Sequence, residues 1–166
     1  DVHSKSAFTH YNKLINVTNF DQVDLIPMRT TYDAIIAPDK GAIEKAKQVA
    51  DLYGKPLIVL EKERVDGKVV HKPLEPQKLR IDKALIVDDI CDGGATFISA
   101  AKAIRAYNSG YFDVLDLWVT HGIFSKGLAE LHKYFDNISC FNLMNPDLVD
   151  QIEFSDSPFK KEYNEA

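Results

Sequence analysis

The middle of the chain alternates short apolar runs with stretches whose apolar residues recur every three or four positions, and each period names an element. From Asp33 to Pro38 the run Ala-Ile-Ile-Ala is bounded by polar residues and predicts a short buried strand. From Gly41 to Tyr53 the residues Ala42, Ile43, Ala46, Val49, Ala50 and Tyr53 have helical spacing, and Gly54 follows where a left-handed cap would close the helix. Pro56 to Leu60 forms a second buried run. Lys62 to Leu79 is charged and turn-prone, with Asp66-Gly67 as a possible hairpin turn and with Pro73 and Pro76 blocking a helix, so a mobile excursion is expected there. Ala84 to Val87 is a third strand, and Thr96 to Tyr107 a helix with Phe97, Ala100, Ala101, Ile104 and Tyr107 inward. Val114 to Val119 is a fourth strand, Lys126 to Phe135 a helix with Leu128, Leu131 and Phe135 inward, and Ile138 to Leu143 a fifth strand.

Such alternation favours an α/β fold, a mostly parallel sheet flanked by helices. Right-handed crossovers then bring every strand's carboxyl end to one edge, which is where ligands bind in open sheets. The first thirty residues and the last twenty are less regular, and no internal repeat or low-complexity tract appears.

Composition narrows the picture. At 166 residues, 45% hydrophobic and 27% charged, the chain suits one domain spanning residues 1–166. A net charge of -5 gives no general attraction to nucleic acid, which is not expected as a partner. Cys91 and Cys140 are the only cysteines and read as free thiols in a reducing cytosol. No apolar stretch is long enough for a membrane span, so a soluble, cytoplasmic protein without a membrane partner is expected. The sequence starts at Asp1 without a methionine, which suggests a processed chain or part of something longer.

The chemistry concentrates in Ala84-Leu85-Ile86-Val87-Asp88-Asp89-Ile90-Cys91-Asp92-Gly93-Gly94-Ala95-Thr96, where acids and then small residues join a buried strand to a helix. Gly93 and Gly94 can take backbone angles closed to other residues and so turn several amide N–H groups toward one centre, where a helix N-terminus adds positive potential. That centre suits a phosphate. Thr96 can cap the helix and offer its hydroxyl to the same anion, with Asp92 opening the loop. Asp88 and Asp89, at the sheet edge, can accept hydrogen bonds from sugar hydroxyls or hold a hydrated divalent cation beside phosphates. An acid-rich strand end followed by a Gly-Gly turn can also be no more than a well-made turn.

The order Val87 to Thr96 resembles the ribose-5-phosphate loop of type I phosphoribosyltransferases, and further segments resemble ribose-phosphate diphosphokinase, C-terminal half. Asp1-Val2-His3-Ser4 is similar to that family's Asp-x-His-Ser/Ala motif, and Ala37-Pro38-Asp39-Lys40-Gly41-Ala42 to its Ser-Pro-Asp-x-Gly-Gly loop. Lys62-Glu63-Arg64 is similar to a Lys-x-Arg element at the base of a catalytic loop, and Thr120-His121-Gly122-Ile123-Phe124-Ser125 to a segment late in the domain. The resemblance spans about residues 1 to 145.

The resemblance implies a type I phosphoribosyltransferase-like fold and diphosphoryl transfer from ATP to the anomeric hydroxyl of ribose 5-phosphate or a related ribose compound such as ADP-ribose. It implies Mg2+ at Asp1, His3 and Asp39, and Lys62 and Arg64 on the transferred group. Asp88, Asp89, Asp92, Gly93, Gly94, Ala95 and Thr96 would hold the ribose phosphate, in a homo-oligomer. The bland alternatives are a helix cap for Asp39, an unordered terminal residue for His3, a solvated strand edge for Lys62 and Arg64, and structural packing for His121, Cys91 and Trp118.

Departures from the pattern point to other outcomes. The family loop reads Asp-Thr-x-Gly-Thr, against Asp92-Gly93-Gly94-Ala95-Thr96 here, and Lys126 intervenes in the Ser-Gly that the family has after Phe. The end from Met144 to Ala166 does not resemble the family's final helix, and the family's N-terminal half is absent from this sequence. A phosphoribosyltransferase that glycosylates a base and a catalytically silent regulatory homologue are the alternatives.

Overall fold

A computed structural model describes residues 26, 31–66, 68–73, 81–107 and 112–154. The strands are β1 (Ala34–Ala37), β2 (Leu57–Val65), β3 (Lys68–Pro73), β4 (Lys83–Cys91), β5 (Val114–Gly122), β6 (Ile138–Leu143) and β7 (Glu153–Phe154). The helices are α1 (Ile43–Tyr53) and α2 (Ala95–Tyr107). Among the described residues the strands form one sheet in the order β3-β2-β1-β4-β5-β6-β7. All pairs are parallel except β2 with β3.

Each central strand is buried on both faces, which is why it reads as a continuous apolar run rather than an alternating one. All four residues of β1 are fully buried. Ile35 and Ala37 pack with Leu85, Val87 and Trp118 beneath Ala46, Val49 and Ala50 of α1. Ala34 and Ile36 pack with Ile58, Leu60, Ala84 and Ile86 beneath Phe97, Ala100, Ala101 and Ile104 of α2. One helix therefore covers each face. Gly54 closes α1 at φ 61°, its N–H donating to the Ala50 and Asp51 carbonyls, as its position after the helical stripe predicts.

One expectation is met and one fails. After Lys62, β2 runs on to Val65 and pairs antiparallel with β3 from Leu60↔Pro73 to Val65↔Lys68, the hairpin pairing the sequence suggests, with Gly67 outside the described residues. Residues 74–80 lie outside the described residues. Lys126 to Phe135 is not a helix but a chain of turns with one short 3-10 turn, Leu131–Lys133. Leu128, Leu131 and Phe135 are nonetheless buried in the core, so helical spacing is met by successive turns. Phe124 at φ 47° and Gly127 at φ 69° set the chain direction there, and neither angle belongs to a helix.

From β1 the chain first goes outward to β2 and later returns to β1's other side as β4. The strand order reverses between β1 and β4, and the crevice beyond their carboxyl ends is where this class of sheet binds ligands.

Candidate functional site

A cavity of about 940 Å³ opens at that edge, walled by the loop after β1, the middle of β2, the end of β4, the first turn of α2, and Ile123. Of the residues singled out in the sequence, Asp39, Lys62, Asp88, Asp89, Asp92, Gly93, Gly94, Ala95 and Thr96 all line it. Arg64 does not. It stands exposed two residues further along β2, opposite Val69. Asp1 and His3 lie outside the described residues.

Asp39 does two things. One carboxylate oxygen accepts from the Gly41 N–H at 2.9 Å and caps the short helical turn ahead of α1, so the bland reading of this residue is realised. The other accepts from Lys62 Nζ at 3.2 Å. Lys62 also donates to Thr96 Oγ1 at 3.1 Å, so one ammonium ties the β1 loop to the start of α2. Lys40 pairs with Glu61 at 3.0 Å beside it.

In the loop after β4 only Gly94 uses a left-handed angle, φ 77°. Gly94 is also packed: a Cβ there would come within 3.2 Å of the Leu131 side chain. Helix α2 starts at Ala95, which places Thr96 inside its first turn instead of at the cap. Its hydroxyl is bound by Lys62 across the cavity mouth. The end of β5 is pinned against this loop, with Ile123 and Phe124 N–H groups donating to the Cys91 carbonyl at 2.9 and 3.1 Å. Gly122 is required here, since a Cβ would sit 2.1 Å from the Phe124 ring.

The electrostatics are those of a crowded anionic edge. Burial pushes Asp88 up from the ordinary carboxylate value to about 7, with the charges of Asp89 and Asp39 adding to the shift while the Asp89 N–H, at 2.8 Å, opposes it. Burial pushes both thiols up to about 12, which makes Cys91 and Cys140 packing residues without nucleophilic character at neutral pH. His71 faces Lys62 across the hairpin, and burial followed by the Lys62 charge holds its pKa below the usual imidazole value. His121, beside Asn142 at 3.4 Å, is lowered first by burial and also by Lys45, consistent with a structural histidine.

Lys45 was not among the candidates. It is buried, bonds the Thr120 hydroxyl and lies 5.7 Å from the Trp118 ring centre. The available signal was its position three residues after Ala42 and four before Val49, on the buried stripe of α1.

A family model described as phosphoribosyl transferase domain matches residues 12–153, and the chain belongs to that family. Within it the chain is similar to ribose-phosphate pyrophosphokinases. That of Pyrococcus abyssi is 40% identical over 97 residues, covering 58% of this chain and 33% of the relative. Ribose-phosphate pyrophosphokinase 2 of Archaeoglobus fulgidus is 32% identical over 162 residues, covering 79% and 57%. The chain thus spans from about a third to just over half of these relatives' length.

The fold is that of the type I phosphoribosyltransferases. Phosphoribosylpyrophosphate synthetase from Mycobacterium smegmatis superposes with TM-score 0.66 at 18% identity, covering 84% of this chain and 46% of that one. Adenine phosphoribosyltransferase from Thermoanaerobacter pseudethanolicus gives 0.60 at 16%, covering 76% and 78%. Among the described residues no helix is long and apolar enough to cross a membrane.

Proposed function

We propose that this chain carries the ribose-phosphate half of a ribose-phosphate diphosphokinase. In that reaction the anomeric hydroxyl of ribose 5-phosphate attacks the β-phosphorus of ATP. The bond from that phosphorus to the α,β-bridging oxygen breaks, AMP leaves, and the hydroxyl proton is lost to solvent or a base. The product is 5-phosphoribosyl 1-diphosphate. One observation carries the reading: a single cavity gathers an anion-type loop, a carboxylate pair and a lysine reached from another strand.

Each part has a task. The amides of Asp92 to Thr96 at the start of α2 receive the 5-phosphate. Asp88 and Asp89 accept hydrogen bonds from the ribose hydroxyls. Lys62, on the opposite wall, meets the charge that grows on the departing AMP oxygen and the transferred phosphates. Arg64, further along the same strand, serves the transferred group if the hairpin bends toward bound nucleotide.

Magnesium fits the donors present. Asp39, Asp88 and Asp89 offer hard carboxylate oxygens on one cavity, and Asp88 is an expensive anion that a nearby cation would relieve. The ion would neutralise phosphate charge when bound, completing its coordination with water and phosphate oxygens.

The test is AMP formation from ATP by the full-length protein, dependent on ribose 5-phosphate and on magnesium. Absence of AMP with ribose 5-phosphate and with ADP-ribose as acceptors overturns the reading. Diphosphate released from phosphoribosyl diphosphate only when a nucleobase is added would identify a base-glycosylating transferase instead.

A further inference from the structure

The cavity's carboxylates have a cation behind them that no part of the proposed reaction uses. Lys45 is 4% exposed, on the face of α1 that packs against the sheet. Its ammonium donates to the hydroxyl of Thr120, itself fully buried on β5, and stands 5.7 Å from the centre of the Trp118 ring. Burial pushes its pKa down from the ordinary lysine value to about 8, and the negative charges of Asp89 and then Asp88 work against that fall. His121 also feels its charge from β5.

Packing on α1 does not by itself call for a cation at this place. Its neighbours Ala42, Ala46 and Val49 are buried and apolar. An apolar side chain of similar length would pack on Trp118 without the desolvation cost of a buried ammonium. What does call for a cation is the pair Asp88-Asp89. Two adjacent carboxylates share a cavity wall with Asp39, and like charges at that spacing resist being ionised together. The register of β4 with β5, Asp88↔Val119 and Ile90↔His121, puts Asp89 abreast of Thr120, the residue that anchors the ammonium.

We infer that Lys45 is a positioning residue: held by Thr120, its buried ammonium fixes the Asp89 carboxylate at the cavity wall so that both oxygens stay available to the vicinal hydroxyls of a ribose. The inference rests on the ribose-phosphate reading of the site and adds a residue to it that touches no substrate. The charge is what matters in this role, whereas a packing role would depend on volume and a tether on hydrogen bonding. The variants separate these. Lys45→Gln keeps length and a donor for Thr120 but loses the charge, and Lys45→Arg keeps the charge.

The experiment measures ribose 5-phosphate binding by calorimetry, and KM and kcat for AMP formation, in the full-length protein and both variants. Lys45→Gln should raise Kd and KM for ribose 5-phosphate about tenfold or more, the factor expected for losing a hydrogen-bonded charge interaction. Its kcat should fall far less and KM for ATP should stay put, while Lys45→Arg recovers most of the affinity. Unchanged ribose 5-phosphate affinity in Lys45→Gln, or equal losses in Gln and Arg, overturns the role. Should Lys45→Gln fail to fold, Thr120→Val leaves the ammonium in place but unanchored, and an unaltered KM there also overturns it. Failure of the unaltered protein to bind ribose 5-phosphate at all would remove the site reading itself, and this inference with it.

Discussion

Lys62 on β2 and Thr96 in the first turn of α2 meet across the cavity mouth at 3.1 Å, although 34 residues separate them in sequence. The contact makes the lysine part of the anion loop's surroundings as well as of the hairpin. A cation in this place can follow charge as it moves from one phosphate to the next, which is a transition-state interaction more than a ground-state one. Lys62→Ala should therefore lower kcat by about two to three orders of magnitude, the range seen when one preorganised charge stabiliser is removed. Ribose 5-phosphate affinity should change only a few-fold. Single-turnover kinetics beside calorimetry would check this, and weakened binding with intact turnover would contradict it.

Asp88 makes a prediction about pH. In the unfolded chain its carboxyl ionises near 3.8, while in the fold burial holds it neutral until about 7. Below about pH 4 the group is neutral in both states and costs nothing. Between those two values the unfolded chain is ionised and the fold is not, so stability falls as pH rises, and above 7 the whole cost is present. Asp88→Asn removes the cost, giving a variant more stable than its parent by on the order of 2 to 4 kcal/mol at pH 8 and by little at pH 4. Urea unfolding at both pH values would show it. A gain of equal size at the two would mean that the burial of the charge is not its origin. The same variant should bind ribose 5-phosphate more weakly, since an amide offers one acceptor where the carboxylate offers two.

The central strands were legible in the sequence because strands buried on both faces leave unbroken apolar runs, and the loop after β4 was legible as a tight strand-to-helix connection, with Gly94 alone of its two glycines using the left-handed angle. Helix α1 was equally clear, down to Gly54. The hairpin was legible only through its Asp66-Gly67 signal, since its outer half is exposed and polar, and a strand that buries neither face shows no period. Leu128, Leu131 and Phe135 misled in the opposite direction: three buried residues at helical intervals were supplied by turns. Lys45 stayed hidden because a lysine on an apolar stripe ordinarily snorkels to solvent. Only the packing of α1 over Trp118 and Thr120 shows that it has no such exit.

Asp116 on β5 is a buried carboxylate away from the cavity, and its neighbours account for it. Tyr32 donates its hydroxyl proton to one oxygen at 2.6 Å, and the other accepts from the Asn137 backbone N–H at 3.0 Å and its side-chain amide at 2.9 Å. Burial still raises its pKa in spite of these donors. Tyr32→Phe leaves the volume unchanged and removes one donor from a buried anion, so it should cost about 1 to 3 kcal/mol. For a chain of this size that lowers the melting temperature by roughly 2 to 4 °C per kcal/mol. Catalysis should be untouched, and an unchanged melting temperature would mean that water replaces the lost bond.

Lys126 bears on the loop's departure from its relatives. Its stem lies over Gly93: a Cβ on residue 93 would contact Lys126 Cε at 3.5 Å and Nζ at 3.8 Å. The lysine is exposed, and its ammonium stands at the rim of the loop proposed to take the 5-phosphate. Lys126→Ala should weaken ribose 5-phosphate binding about two- to fivefold at low salt, the size of an exposed charge pair, and the difference should fade as salt is raised. Gly93→Thr supplies a hydroxyl but displaces the lysine stem. Its effect on affinity should accordingly be less favourable in the parent than in the Lys126→Ala background, where nothing is displaced. A double-mutant cycle measures that difference directly. Strict additivity of the two substitutions would show that Lys126 and residue 93 do not share the space above the loop.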